Sequence, residues 1–171
     1  MRSVSVILFA LFAGIVSAIV SPSNALSQSG TAVTEDLAQR ADVVVVGKVT
    51  QVRSEWNVDR SRIYSNVTVQ VDEHIKGAES QQSVVIATLG GEIGGVGEMY
   101  SHTARFKADE QVIVFAAADR QGQLRVVGGD EGKLTVTKDK VTGLQMVADR
   151  EPLAAFTSRL RGVVQAQSHK E

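Results

Sequence analysis

Histidines, hydroxyls and carboxylates are where chemistry would sit in this chain, and their spacing supports little of it. His74, His102 and His169 form no His-Glu-x-x-His pattern and have no carboxylate at metal-ligand spacing. Asp72 and His74 alternate around Glu73, so on a strand they share a face. That reads either as an ion site or as a solvated strand end beside Lys76. His102 lies between Ser101 and Thr103, and Asp109 follows. A Ser/His/Asp system there lacks both a nucleophile elbow and an oxyanion loop. Asp130 and Glu131, within the Gly128 to Gly132 turn, could meet calcium, but the EF-hand pattern is absent and they read rather as a hairpin turn. Cysteine is absent, which removes thiol catalysis, thiolate zinc and an N-terminal lipid-modified cysteine. The residues therefore predict no catalytic group, no cofactor and no metal: a protein that is not an enzyme.

Two other places could make contacts. Five glycines, among them the pairs Gly90-Gly91 and Gly94-Gly95, fall within residues 90–97. Such a segment lets a partner backbone approach closely, or it serves left-handed turns and a bulge. No Gly-Lys-Ser/Thr follows, so it is not a phosphate loop. Trp56 and Tyr64 flank a charged loop at residues 54–62 carrying Glu55, Asp59, Arg60 and Arg62. An exposed Trp beside arginines suits a partner anchor; the same Trp could instead close one end of a barrel. The candidate partner-binding residues are thus Trp56, Tyr64, Gly90, Gly91, Gly94 and Gly95.

The elements that would position these residues are mostly strands. Val43 to Val46 is a continuous β-branched run that passes into alternation through Val49 and Val52. Gly47 inside it marks a bend, a bulge or a close backbone approach. Val67, Val69 and Val71 alternate with Thr68, Gln70 and Asp72. Residues 83–89, 111–116, 123–127 and 133–137 are further strands, and residues 119–122 and 139–143 are turns. Thr34 with Glu35 and Asp36 starts a short helix ending near Asp42. Leu153, Phe156, Leu160, Val163 and Val164 fall at helical spacing after Pro152, giving an amphipathic C-terminal helix. No proline lies between Pro22 and Pro152 and no repeat is evident, so one domain is expected. Closely spaced strands joined by turns favour antiparallel pairing. The expected fold is all-β with peripheral helices: a small antiparallel OB-like barrel of about five to six strands plus the C-terminal helix.

The N-terminus carries a targeting pattern. Arg2 precedes an apolar run over residues 6–16, and Ser23-Asn24-Ala25 supplies a small-x-small cleavage site after Pro22. Residues 1–25 are expected to be a signal peptide; an uncleaved anchor is the other reading, since residues 4–20 approach the length that spans about 30 Å of hydrocarbon. The expected organisation is then a flexible mature N-terminus at 26–34, the barrel with its helix at 35–164 and a polar tail at 165–171. After cleavage no span remains, and the product is periplasmic or extracellular. The formal net charge of −1 offers no basic excess for phosphates, and five Phe, two Tyr and one Trp are few for base stacking, so nucleic acid is not an expected partner.

Read in order, Asp36-Leu37, Ala41-Asp42-Val43 through Val49, Ile63-Tyr64-Ser65, Val67-Thr68-Val69, Ile75-Lys76-Gly77, the two Gly-Gly pairs, Phe106, Asp109-Glu110, Val112 to Phe115, Val127-Gly128-Gly129 and Gly132-Lys133 carry a resemblance. Over about residues 36–138 the chain resembles uncharacterised bacterial exported proteins of the netrin-like and tissue-inhibitor-of-metalloproteinases type of OB-fold barrel. The resemblance implies an exported binding or protease-inhibitor-like module whose partner is an exported or envelope protein. A structural or assembly role in the envelope is the alternative, and a hydrolase a third; oligomeric state is left open. The animal inhibitors reach a catalytic zinc through an N-terminal cysteine, which this chain lacks, so that mechanism does not transfer.

Overall fold

The computed structural model describes residues 25–77, 79–148 and 150–168. The expected signal peptide, apart from Ala25, lies outside the described residues, as do His169 and the end of the expected polar tail. In chain order the elements are α1 (Ala25–Arg40), β1 (Val43–Trp56), β2 (Ile63–Lys76), β3 (Ser83–Leu89), β4 (Gly91–Ile93), β5 (Val96–Glu98), β6 (Gln111–Ala118), β7 (Leu124–Val126), a 3-10 turn (Gly129–Gly132), β8 (Lys133–Lys138), β9 (Gln145–Val147), β10 (Glu151–Pro152) and α2 (Leu153–Ser168).

Five strands close a barrel in the ring order β1-β2-β3-β7-β6 and back to β1. The pairings are antiparallel except one. β3 and β7 run parallel, with Ile86 opposite Leu124 and Ala87 opposite Arg125. The expected OB-like barrel is present, but it is mixed rather than wholly antiparallel. The reason is topological: between β3 and β7 the chain makes the β4–β5 hairpin and crosses the barrel as β6, so β7 returns in the direction of β3. β8, β9 and β10 extend the sheet from β6. Pro152 stands in the terminal strand, where a residue without an N–H costs no ladder bond.

The two continuous apolar runs are explained by burial on both faces. Val45 and Val49 of β1, with Val112, Val114 and Ala116 of β6, point into the barrel beside Val67, Val69, Val84 and Ile86. Val44 and Val46, with Ile113 and Phe115, point outward into a second core built with Leu37, Phe156 and Leu160 of the helices. Buried strands lose the polar alternation that half-buried ones keep. Gly47 sits at a register shift against β2, where a side chain would collide with the Gln70 carbonyl. The turn at 119–122 closes as expected: Asp119 accepts the Gln121 and Gln123 N–H groups, and Gly122 takes φ 79°.

The helices differ from expectation at their ends. α1 spans residues 26–34, expected as loose, and continues without a break through Thr34, expected as a cap. Thr34 is buried, its hydroxyl donates back to the Thr31 carbonyl at 2.9 Å, and Arg159 of α2 reaches it. Docking on α2 overrides the weak propensity of Ser, Gly and Thr. α2 runs on through residues 165–168, expected as tail.

β1 is longer than its neighbour β6. Their ladder ends at Lys48 opposite Gln111, with two loop bonds between Val49 and the Asp109–Glu110 backbone. Beyond it, β1 and β2 project as an arm, joined on one side by β3. Gln51, Arg53 and Glu55 occupy the uncovered edge, where charge discourages further strand pairing.

Candidate functional site

The inner face of this arm forms the wall of a cavity at the barrel mouth, of about 480 Å³. Val52, Val67, Leu89, Met99, Ala104 and Phe106 make it largely apolar. The β4–β5 hairpin and residues 99–106 cover it. An apolar hollow of this size with few polar groups is the usual form of a small-ligand site.

The glycine segment builds the cover. Gly94 and Gly95 take φ 57° and 84° at the two-residue tip between Ile93 and Val96. Positive φ at both central positions is the turn whose twist suits a tight hairpin, and glycine accepts it without strain. Gly90 and Gly91 do something different. A Cβ at Gly90 would lie 2.7 Å from the Glu98 carbonyl oxygen, and one at Gly91 would collide with the Ser54 and Ser65 hydroxyls. These two are close-approach positions that let the hairpin seat on the arm.

Polar groups in the wall are arranged in chains. Ser65 donates to the Gly90 carbonyl at 2.7 Å, so the 2.9 Å bond between the serines runs from Ser54 to Ser65. The Glu92 N–H donates to Ser54 at 3.3 Å. Thr88 donates to the Ala104 carbonyl at 3.2 Å and Thr103 to the Ser101 carbonyl at 3.4 Å. Glu98 Oε2 accepts the Ile63 N–H at 2.8 Å and the Tyr100 hydroxyl at 3.0 Å. The hydrogen bond to the Glu98 carboxylate holds the Tyr100 phenol above its ordinary value, so it stays a donor. Among the described residues no histidine is in the lining, and neither serine meets a base.

The floor is braced from outside. Phe106 lies under the Lys133 ammonium, 5.7 Å from its ring centre. Lys133 in turn pairs with Glu110, which also accepts the Thr135 hydroxyl at 2.9 Å and the Lys107 N–H at 3.1 Å. Burial pushes the Glu110 carboxyl up, but the Lys133, Thr135 and Lys107 bonds outweigh it and leave it below its ordinary value.

The sequence-derived candidates divide among different surfaces. Gly90 and Gly91 line the cavity, and Gly94 and Gly95 stand at the hairpin tip. Trp56 is half-buried at the end of the arm, opposite Ile63, outside the lining. Tyr64 faces outward, its ring 5.8 Å from the Arg125 guanidinium. His102 has φ 55° and offers its carbonyl to the Asp130 N–H, whereas Asp109 pairs with Lys48 at 2.7 Å, so the two do not form a couple. Asp72 accepts from Gln111 at 2.7 Å, and Glu73 faces Arg161 at 2.8 Å. Asp130 and Glu131 lie in the 3-10 turn. Among the described residues no three potential metal-ligating side chains cluster, and no helix is long and apolar enough to cross a membrane.

Sequence reasoning missed Ser54, Ser65, Glu98 and Tyr100. A signal for the serines existed: both share the inward parity of Val52 and Val67, so they place hydroxyls where the alternation calls for apolar groups. A scan against protein-family models and a search of curated proteins found no match to this chain.

Proposed function

We propose that this chain is a non-catalytic binding module and that its ligand enters the cavity at the barrel mouth. The observation that carries this reading is the apolar hollow held open beneath a hairpin whose glycines are fitted to the arm. The hydroxyl bonds support the non-catalytic part: the lining Ser and Thr hydroxyls donate to backbone carbonyls or to another hydroxyl, none of which is a base that could activate a nucleophile. A larger cleft, about 640 Å³, lies between α1, α2 and β9. It fits the reading less well, because its Arg159 and Glu151 neutralise each other at 2.6 Å.

The test is binding of the uncharged fluorescent probe N-phenyl-1-naphthylamine. Val52 lines the cavity and is 37% exposed, so Val52→Trp has room to swing in and fill it. Probe affinity should fall at least about tenfold, a difference of roughly 1.4 kcal/mol. Val85→Trp, at an exposed position away from the lining, should leave binding unchanged. Equal affinity in wild type and Val52→Trp would sink the reading.

We further propose that the module works outside the cytoplasm, from the pattern around Arg2 and Ala25. Mass spectrometry of the protein recovered from its native cell should find Leu26 as first residue in an exported fraction. An intact chain held in the cytoplasm would contradict this.

A further inference from the structure

The bonds lining the cavity restrict what a ligand must bring. Ser54, Ser65, Thr88, Tyr100 and Thr103 all donate within the protein, so no lining hydroxyl has a proton left for a ligand. Apart from the Arg105 guanidinium, what the lining side chains offer a ligand is acceptor capacity. Its strongest member is Glu98 Oε1, which carries no bond among the described residues while Oε2 carries two. The charges agree with this. Two carboxylates, Glu92 and Glu98, line the cavity against one guanidinium, Arg105. Arg62 lies 6.0 Å from the Tyr100 ring and is not part of the lining.

We infer that the ligand is a small apolar amine, an alkyl or aryl-alkyl chain ending in a primary ammonium. The apolar part packs on Val52, Leu89, Met99 and Phe106, and the ammonium donates to Glu98 Oε1. This rests on the cavity being the binding site. A charged donor meeting a carboxylate makes a shorter and stronger bond than a hydroxyl does. Arg105 stands at the same cavity and opposes the ammonium, which limits the preference without reversing it. An anionic ligand of the same shape is disfavoured by both carboxylates.

The experiment displaces bound N-phenyl-1-naphthylamine with three compounds of similar size: phenethylamine, phenethyl alcohol and 3-phenylpropionate. Phenethylamine should displace the probe at about tenfold lower concentration than the alcohol, the step expected for exchanging a neutral for a charge-assisted bond. 3-Phenylpropionate should be the weakest. In Glu98→Gln the amide oxygen still accepts from Ile63 and Tyr100, so the urea midpoint should hold. The amine should then fall to the level of the alcohol, with the alcohol unchanged. Equal displacement by amine and alcohol in the wild type would overturn the amine inference and leave the cavity reading standing. A preference that survives in Glu98→Gln would overturn the role of Glu98. Failure of the probe and all three compounds to bind would overturn the cavity reading itself.

Discussion

Replacing Lys133 with methionine is expected to destabilise the protein by about 3 kcal/mol at neutral pH. The Lys133 and Glu110 side chains are only 12% and 16% exposed. Removing the ammonium leaves the largely enclosed Glu110 carboxylate with only the Thr135 hydroxyl and the Lys107 N–H to stabilise it. It also removes the cation over Phe106 and so loosens the cavity floor. Adding Glu110→Gln should recover most of the loss, because the amide oxygen keeps the Lys107 N–H bond and the amide NH2, standing where Oε1 was, can donate to the Thr135 hydroxyl, with no charge to desolvate. The pH dependence follows from the sign of the shift. In the wild type the folded Glu110 carboxyl lies below its ordinary value of about 4.5. Its contribution is therefore present above that value and is lost as pH falls through the folded one. In Lys133→Met burial acts unopposed by the ammonium, so the deficit should be largest above about pH 5 and shrink in acid as the carboxyl takes up a proton. Urea unfolding at pH 7 and pH 4 measures both. A loss near zero at pH 7 would place the pair with exposed ion pairs, which contribute little.

The second large effect is expected at Phe115. This ring is fully buried in the outer core with Leu37, Phe156 and Leu160. Phe115→Ala removes a large side chain from a site walled by a β-sheet and two helices, which can collapse only in part. The expected cost is about 3–5 kcal/mol. Thermal unfolding should show a fall of about 10 °C or more. Because the ring points away from the barrel interior, the folded variant should still bind the naphthylamine probe with wild-type affinity. A cost below about 1 kcal/mol would show that the helices do not pack on the barrel as described.

These two residues also show what was legible in the sequence. Phe115 sits in an apolar run that reads as a strand from sequence, and α2 followed from the spacing of Leu153, Phe156 and Leu160. Both are local patterns with a fixed geometric cause. The Gly94-Gly95 turn was open to local reasoning for the same reason. Lys133 was different. Its partner Glu110 is 23 residues away, and nothing local links them. Glu98 and Ile63 are 35 residues apart; their bond exists only because the hairpin folds back over the arm. The parallel β3–β7 pair depends on the path of the whole chain between them. The length of α1 depends on Thr34 docking against Arg159, 125 positions later. Trp56 and Tyr64 drew notice by residue type, yet strand parity and arm length decide where they point, and neither lines the cavity.

The binding claim is tested most directly by titrating the isotope-labelled protein with N-phenyl-1-naphthylamine and following backbone amide shifts by NMR. The cavity reading predicts that the largest shifts fall on Ser54, Ser65, Thr88, Gly90, Gly91 and Tyr100, with the helices silent. Shifts concentrated on Thr34, Phe156 and Arg159 would place the ligand in the helix cleft and contradict it.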